Sequence, residues 1–280
     1  MEVLVTGVTG QLGYDVAQEL ERRNIEVYRA GSKEMPLTDK EKMRSVMEKV
    51  RPAAVIHCAA YTAVDLAESE PEKCLAINST GTQELARLCK MFDTKMIYIS
   101  TDYVFPGTGT DFYEVDDEKA PLNIYGRSKL LGEQAVREIL TRYFIVRISW
   151  VFGINGKNFV KTMLRLAKDH KELTVVDDQV GSPTYTRDLA ELLADMAATD
   201  KYGIYHATNE GVCSWAEFAA EIFRQAGAAV KITPVPSSAY KTAATRPKNS
   251  RLSKKSLDAA GFKRLPTWQD AIGRYLIELG

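Results

Sequence analysis

The chain has 280 residues, enough for one large domain or for a nucleotide-binding core with a smaller partner, and 45% of them are apolar. Lysine plus arginine and aspartate plus glutamate both number 37, so a net charge of zero gives no global field for nucleic acid or an anionic membrane. No apolar run approaches the roughly 20 residues of a membrane span, and no secretory leader precedes the first strand pattern.

The cysteines and histidines show no spacing typical of a metal site. Cys58, Cys74, Cys89 and Cys213 form no CxxC pair, and the three histidines lie far apart in the sequence. We therefore expect reduced, mostly packed thiols, a cytoplasmic protein and no metal ligands among these residues.

Short β-rich runs alternate with helical patterns through the first half of the chain. The predicted strands are 2–6, 25–30, 53–60, 95–100 and 144–149, and the predicted helices are 11–23, 38–50, 71–92 and 123–138. The second of these helices opens with Thr38 and Glu41 at capping-box spacing. Strand–helix alternation of this kind predicts an α/β fold with a doubly wound parallel sheet of the Rossmann type and right-handed crossovers.

After Trp150 the pattern changes to that of a smaller, mixed α/β lobe. The predicted elements are a helix over 156–170, a strand over 172–176, a loop and helix over 177–198, a helix over 214–227 and a final helix over 267–279. Ser214 and Glu217 form a second capping-box pattern, and residues 228–256 are predicted to be an irregular binding segment. We expect residues 1–150 to form the nucleotide-binding domain, with part of 177–206 returning to it. Residues 151–280 would form most of an interleaved substrate lobe.

A glycine-rich loop follows the first predicted strand directly. Gly7, Gly10 and Gly13 form a GxxGxxG pattern at the start of the first helix. Glycines there allow a tight turn and close approach of the backbone to a pyrophosphate, whose charge the N–H groups of a helix N-terminus favour. The strand–loop–helix context predicts a dinucleotide site.

The end of the second predicted strand indicates which dinucleotide is preferred. An NAD site usually carries an acidic residue there, but this chain has Arg29, Ser32 and Lys33, with no carboxylate before Glu34. This basic, hydroxyl-bearing loop favours a ribose 2′-phosphate, so we expect NADPH to be preferred and NADH to be tolerated. The alternative is that Arg29 and Lys33 are solvated surface charges.

Two groups of polar residues are candidates for catalysis. Tyr125 and Lys129 are four residues apart, so they share one helical face, and the ammonium would lower the phenol pKa towards the range of a general acid. Thr101 and Asp102 end a core strand, where ligands bind in open α/β sheets. The alternatives are ordinary helix packing for the first pair and a polar strand-end turn for the second.

Several longer strings carry a resemblance to a known family. They are "AAYTAVDLAESEPE", "STDYVFPGTG", "PLNIYGRSKLLGE", "RISWVFG", "NFVKTMLRLAK", "DDQVGSPT" and "TRPKNSRL". Together with the glycine loop and the Tyr125–Lys129 pair they resemble the extended short-chain dehydrogenase/reductase superfamily and, within it, the dTDP-4-dehydrorhamnose reductase family. The resemblance runs from the first strand to about residue 252.

The resemblance implies reduction of the C4 ketone of dTDP-4-dehydro-L-rhamnose by NADPH, the last step of dTDP-L-rhamnose synthesis. It implies that Tyr125 donates a proton to the developing alkoxide and that Lys129 holds the nicotinamide ribose. Thr101 would bond the carbonyl oxygen or Tyr125, Asp102 would bond the sugar, and Trp150 would form a wall of the sugar pocket. Ordinary core packing is the alternative for Trp150.

The resemblance also implies further ligand contacts. The cofactor contacts would be Gln11, Leu12, Asp39, Ala59, Ala60 and Tyr61. The nucleotide-sugar contacts would be Asn158, Arg246, Asn249 and Arg251, and the alternative for the arginines is a solvated loop position. Some family members are described as magnesium-linked dimers. Asp15 stands where one such carboxylate is expected but no acidic tail follows, so Mg²⁺ binding and the choice between monomer and homodimer stay open.

Two other functions use the same fold. An epimerase or dehydratase would retain NAD, and a dehydratase typically has Asp and Glu after its catalytic threonine, whereas Asp102 and Tyr103 follow Thr101 here. A non-catalytic regulatory subunit that binds NADP would not need the intact Tyr125 and Lys129. Both alternatives are therefore disfavoured.

Overall fold

The computed structural model describes residues 2–280 and is built around a sheet of six parallel strands. The strands of the molecule are β1 (Glu2–Thr6), β2 (Glu26–Ala30), β3 (Ala54–His57), β4 (Lys95–Thr101), β5 (Tyr143–Ile148), β6 (Val151–Phe152), β7 (Glu172–Val176), β8 (Val180–Gly181), β9 (Thr184–Tyr185), β10 (Gly203–His206), β11 (Asn209–Glu210), β12 (Cys213–Ser214), β13 (Lys231–Val235), β14 (Asn249–Ser250) and β15 (Leu265–Thr267).

The helices cover the sheet and form much of the second lobe. They are α1 (Gln11–Arg22), α2 (Lys40–Val50), α3 (Val64–Ala67), α4 (Pro71–Leu75), α5 (Thr82–Met91), α6 (Ile124–Ile139), α7 (Phe159–Leu166), α8 (Thr186–Ala197), α9 (Trp215–Ala226), α10 (Lys255–Ala259) and α11 (Trp268–Leu279). A π-helical turn, Ala76–Gly81, joins α4 to α5, and short 3₁₀ turns occupy Asp102–Val104 and Ser237–Ala239.

The strand order of the main sheet is β10-β5-β4-β3-β1-β2. The chain therefore adds β2 on one side of β1 and the remaining strands on the other, which confirms the doubly wound parallel fold predicted from the sequence. In this arrangement the carboxyl ends of β1, β3 and β4 meet at one edge of the sheet, where the crevice for a ligand is expected.

Alternate residues of the strands pack against helices on opposite faces of the sheet. On one face Val3 and Val5 pack in a core with residues of α1 and α8, and on the other Leu4 packs with residues of α2, α5 and α6. All seven residues of β4 are buried, as expected for a strand covered on both sides. These two apolar layers hold the strand ends that carry the site.

The second lobe surrounds a separate apolar core rich in aromatic side chains. Phe152, Tyr185, Phe218 and Tyr275 are all buried in it. Around this core, β7 pairs with β13, and β8 pairs with both β12 and β14. Between the two parts of this lobe the chain returns to the main sheet, because α8 packs on α1 and β10 pairs with β5.

The sequence predicts a capping box at the start of two helices. The capping box at Thr38 and Glu41 is wrong, because the neighbouring Asp39 is the N-cap of α2 and its side chain accepts from Lys42 N at 3.0 Å. The box at Ser214 and Glu217 is confirmed at the start of α9. The helix predicted over 71–92 is present, but its middle is the π-helical turn.

The length and composition of the helices bear on membrane insertion. Within residues 2–280, none of them combines the length and the apolar character that crossing a bilayer requires.

A buried ion pair joins α6 to the sheet. Arg147 on β5 donates to both carboxylate oxygens of Glu133 on α6, at 2.8 and 2.7 Å, and neither side chain is more than 2% exposed. Arg147 also donates to the Val115 carbonyl at 2.9 Å and lies 3.3 Å from His206 Nε2, whose other ring nitrogen contacts the Ser253 carbonyl. The pair thus fixes the helix against β5, β10 and the C-terminal segment.

Removal of one partner of this pair should destabilise the fold strongly. We expect Arg147→Met to lower the free energy of unfolding by about 3–5 kcal/mol, because it leaves the Glu133 carboxylate buried without its counter-charge. Urea denaturation measures this change. The matched control is Arg224→Met, which breaks an exposed bidentate pair with Glu221 and should cost less than about 1 kcal/mol. Equal losses in the two variants would contradict the prediction.

Candidate active site

A cavity of about 830 Å³ runs along the carboxyl ends of the strands from the glycine loop to the second lobe. It brings together these residues predicted from the sequence: Gly7, Gly10, Gln11, Leu12, Gly13, Ser32, Ala59, Ala60, Thr101, Asp102, Tyr125, Lys129 and Trp150. One continuous cleft thus connects the predicted dinucleotide loop with the predicted catalytic pair.

The glycine loop fits a dinucleotide phosphate. Gly7 has a φ of +70°, and a Cβ there would lie 2.7 Å from Ala59 N. A Cβ on Gly13 would collide with the Gly7 carbonyl. Gly10 is the N-cap of α1 and has no side chain to bond the first amides of the helix, so these amides are available to a ligand.

Beyond the glycine loop, near the ends of β2 and β3, fewer of the predicted cofactor residues line the cleft. Ser32 lines it, but the Arg29 guanidinium is bonded to both carboxylate oxygens of Glu21, each at 2.8 Å. Lys33, Asp39 and Tyr61 do not line the cavity either. Asp39 serves as the N-cap of α2, and the Tyr61 hydroxyl donates to Glu70 at 2.8 Å. Their roles as cofactor contacts stay predictions.

The N-cap of α6 places Tyr125 in the first turn of the helix. Asn123 Oδ1 accepts from Gly126 N at 2.8 Å, and Lys129 follows one turn after Tyr125 on the same face. A Cβ on Gly126 would collide with the Tyr103 carbonyl, so the helix start lies directly on the 3₁₀ turn after β4. The phenol and the ammonium therefore both face the cleft.

Burial controls the pKa values of both groups. It lowers the pKa of Lys129 from 10.5 to about 7, an effect that the Glu133 carboxylate opposes. It raises the pKa of Tyr125 above its ordinary value, and the Asp102 carboxylate adds to this rise. The structure differs here from the expected lowering by Lys129, because the ammonium is itself desolvated and lies 4.0 Å above the Tyr98 ring. The phenol therefore stays protonated at neutral pH, as an ordinary tyrosine does, and it is a weaker acid than an ordinary tyrosine.

The end of β4 adds a hydroxyl and a buried carboxylate. Thr101 Oγ1 donates to Asp102 Oδ1 at 3.0 Å, and Ser250 Oγ donates to Asp102 Oδ2 at 2.5 Å. Burial raises the pKa of Asp102 to about 6, and these hydrogen bonds oppose the rise. Ser100 Oγ is also buried beside the cleft and has no partner among residues 2–280, so a ligand can bond it.

Trp150 forms an aromatic wall between the cleft and a second cavity. It adopts a φ of +49°, which is unusual for a bulky residue, and its ring stacks on Trp215 with centroids 3.7 Å apart. Phe159 lies 4.6 Å from Trp215, centroid to centroid. Sequence reasoning missed Trp215 and Phe159. The signal available was the position of each aromatic directly after a helix N-cap.

The second cavity, of about 950 Å³, shares Tyr103, Trp150, Phe159 and Trp215 with the first. Its lining includes three basic residues, Lys241, Arg246 and Lys248. Arg246 is bonded to both oxygens of Asp65, at 3.1 and 2.7 Å, and Lys248 lies 3.1 Å from Asp178. Two of the three positive charges in this lining are thus already balanced by carboxylates of the protein.

Three other predicted substrate residues line neither cavity. Asn158 is the N-cap of α7 and donates to Gln11 Oε1, the Gly153 carbonyl and the Tyr275 hydroxyl. Asn249 donates to backbone carbonyls, and its Oδ1 accepts from Arg251 at 2.9 Å. These internal bonds engage both asparagine side chains and one N–H group of Arg251. Their role as substrate contacts stays a prediction.

In the part of the chain that the structure describes, no group of three or more His, Cys, Asp or Glu side chains is arranged to hold a metal ion. Asp15 is instead bonded by the Thr186 hydroxyl, and burial raises its pKa to about 6.

Comparison with known proteins gives a consistent result. The chain matches the family described as the RmlD substrate binding domain over residues 1–280. It is 42% identical over 276 residues to the dTDP-4-dehydrorhamnose reductase of Streptomyces griseus, covering 96% of this chain and 91% of that protein. It is 41% identical to the spore coat polysaccharide biosynthesis protein SpsK of Bacillus subtilis, covering 99% and 97%. The crystal structure of dTDP-4-dehydrorhamnose reductase from Bacillus anthracis in complex with NADP superimposes with a TM-score of 0.96, 42% identity and 99% coverage of both chains.

Lys129 should reduce stability in a pH-dependent way. Its pKa in the folded protein is about 7, below the 10.5 of an unperturbed lysine, so the unfolded chain binds more protons between these values. The free energy of unfolding of the natural chain should therefore rise with pH between these two values, because Lys129 destabilises the folded protein less as it loses its charge. We expect Lys129→Met to be more stable than the natural chain at pH 7 by at least about 1 kcal/mol, and the advantage to shrink towards pH 9.5.

Urea denaturation at the two pH values tests this expectation. The exposed Lys168, which has no ion-pair partner within residues 2–280, provides the control variant Lys168→Met, whose stability should match the natural chain at both pH values. A Lys129→Met protein that is less stable at pH 7 would contradict the prediction.

Proposed function

The chain belongs to the dTDP-4-dehydrorhamnose reductase family, and we propose that it reduces the C4 ketone of dTDP-4-dehydro-L-rhamnose to give dTDP-L-rhamnose, with NADPH as the hydride donor. Family membership rests on the match over residues 1–280 and on relatives that are about 40% identical over nearly the whole chain. This reaction would be the last step of dTDP-rhamnose biosynthesis.

The observation that supports the proposal is that one cleft contains both the glycine loop, which can bind a phosphate, and a phenol that can donate a proton. The glycine loop and the Tyr125–Lys129 pair line the same cavity, and this cavity meets a second one at Tyr103 and Trp150. A ketone held at the junction would lie beside both the proton donor and a nicotinamide. The dinucleotide, when bound, supplies the hydride.

Three side chains would then act on the substrate carbonyl. Tyr125, like any phenol with a pKa at or above about 10, holds its proton at neutral pH, and it would donate this proton to the oxygen as negative charge develops there. Thr101 Oγ1, which donates to Asp102 in the ligand-free protein, would turn its hydrogen to the same oxygen and so orient it. Lys129, held below Tyr125 on α6, would bond the nicotinamide ribose and recover its charge near the cofactor phosphates.

The second cavity would hold the nucleoside diphosphate of the substrate. Its aromatic wall at Trp150 and Trp215 suits a flat base or a sugar face. Arg246 has a planar, forked guanidinium that matches a phosphate, and it lines the cavity although Asp65 already bonds it. The Asp65 carboxylate would orient this guanidinium before the substrate binds.

The preference between the two nicotinamide cofactors is a finer part of the proposal. We propose that NADPH is preferred and NADH tolerated, with Ser32 at the adenosine end of the cleft. Arg29 could contribute to a 2′-phosphate site only by leaving Glu21. The four free cysteines fit a protein that works in the reducing cytoplasm, which we also propose.

A direct test is to mix the protein, NADPH and dTDP-4-dehydro-L-rhamnose and to follow the absorbance of the reduced cofactor. We expect oxidation by the natural chain and a loss of about 100- to 10,000-fold in kcat for Tyr125→Phe, which lacks the proton donor. NADPH binding to this variant should be unchanged. An absence of oxidation by the natural chain would refute the proposed function.

The control for this test is the neighbouring phenol. The Tyr103 ring lies 5.5 Å from that of Tyr125, centroid to centroid, in the same cavity. We expect Tyr103→Phe to change KM for the sugar nucleotide while kcat stays within about threefold of the natural value, because this phenol is not the donor. A comparable loss of kcat in both variants would remove Tyr125 from its proposed role.

Two arginines that the sequence proposes as substrate contacts should behave differently. We expect Arg246→Met to raise KM for the sugar nucleotide about tenfold, because a charge-assisted contact with the diphosphate is lost. Arg251 lines neither cavity and bonds Asn249, so Arg251→Met should leave KM within about twofold. Initial rates at saturating NADPH measure both values. A larger rise of KM in Arg251→Met than in Arg246→Met would assign the diphosphate contact to Arg251 instead.

A further inference from the structure

A loop of the second lobe, residues 153–158, lies against the glycine loop of the dinucleotide site. Gln11, in the first turn of α1, accepts two hydrogen bonds through Oε1, from Gly153 N and from Asn158 Nδ2, each at 3.0 Å. The first residue of the helix that follows the phosphate cradle is thus tied to both ends of the 153–158 loop.

The middle of the 153–158 loop is fixed as well. Asn155 Nδ2 donates to the carbonyls of Thr9 and Gly10, at 3.0 and 3.2 Å. From the other side, Lys161 Nζ donates to the Gly156 carbonyl at 3.0 Å. Because the side chains of Asn155 and Asn158, on either side of position 157, are both bonded to residues 9–11, the loop has a defined place over the glycine loop.

Lys157 is the side chain that this arrangement presents to the cleft. It lines the cavity, it is exposed, and no carboxylate within residues 2–280 pairs with it. Among residues 2–280, the only other basic residue in the lining is Lys129, which lies on α6 beside Tyr125, and the only acidic one is Asp102. Beside the glycine loop, the described residues of the lining therefore include one unpaired positive charge and no carboxylate.

We propose that Lys157 is a cofactor-binding residue whose ammonium pairs with the pyrophosphate of the dinucleotide from the side opposite the glycine loop. This inference rests on the dinucleotide cofactor of the proposed function. The backbone amides at the start of α1 supply partial charges only, whereas a pyrophosphate carries full negative charge. The ammonium of Lys157 supplies the counter-charge, and Asn155 and Gln11 are the positioning residues that hold its loop in place.

The arrangement makes the second lobe part of the cofactor site. A dinucleotide bound between the glycine loop and Lys157 touches both lobes, and so it strengthens the contact between them. Cofactor binding thereby organises the wall of the substrate cavity, because Phe159 begins the helix directly after the 153–158 loop.

The test is to titrate the full-length protein with NADP⁺ and, separately, with NAD⁺, without sugar substrate, by calorimetry at low and high salt. For Lys157→Ala we expect affinity to fall about 5- to 20-fold for both dinucleotides, since both contain the pyrophosphate. The loss should be smaller at high salt, where the charge of the natural lysine is screened. Lys157→Arg should retain most of the affinity.

Lys168→Ala is the matched control, because it removes one exposed lysine from the same lobe outside both cavities, and its affinities should stay within about twofold of the natural values. Unchanged affinity in Lys157→Ala would overturn the inference. A loss confined to NADP⁺ would also overturn it, because the lysine would then contact the 2′-phosphate. Binding without turnover in the sugar-nucleotide assay would refute the proposed function and leave this inference standing.

Discussion

The bidentate pair between Glu133 and Arg147 is the interaction on which the geometry of the site depends. Both charges are removed from water, so each is tolerated only while the other holds its position, and this fixes the rotation of α6 about its own axis. Glu133 is one turn after Lys129 and two turns after Tyr125 on the same helical face. The pair therefore sets the direction of the two catalytic side chains and also keeps a negative charge beside the Lys129 ammonium.

Most of the fold could be predicted because a parallel sheet covered on both faces leaves a clear pattern in the sequence. β1, β4 and β7 match apolar runs that can be read directly, and the strand–helix alternation limits the topology to few choices. The start of α2 could not be predicted in this way. Thr38 and Asp39 can both cap a helix, and only the backbone path after β2 selects Asp39.

The candidate site could be predicted only where it depends on residues close in sequence. The glycine loop and the Tyr125–Lys129 pair are local patterns, and the structure places both in one cleft. The position of Arg29 near the end of β2 predicts a phosphate ligand, but its bond to Glu21 depends on how α1 packs beside that strand. The stacking of Trp150 on Trp215 likewise joins residues far apart in the chain, and no local pattern indicates it.

The chain path limits how this molecule can be altered. It leaves the main sheet after β5, returns for α8 and β10, leaves again, and returns once more with α10 before α11 ends in the second lobe, so the two lobes are joined by several covalent crossings. A single cut cannot release either lobe as an intact unit, and neither lobe could be exchanged for another as one continuous segment. New substrate specificity in such an architecture has to arise from substitutions within the existing cavity walls. Exchange of a whole domain, as is possible for enzymes whose domains are joined by a single linker, does not fit this chain path.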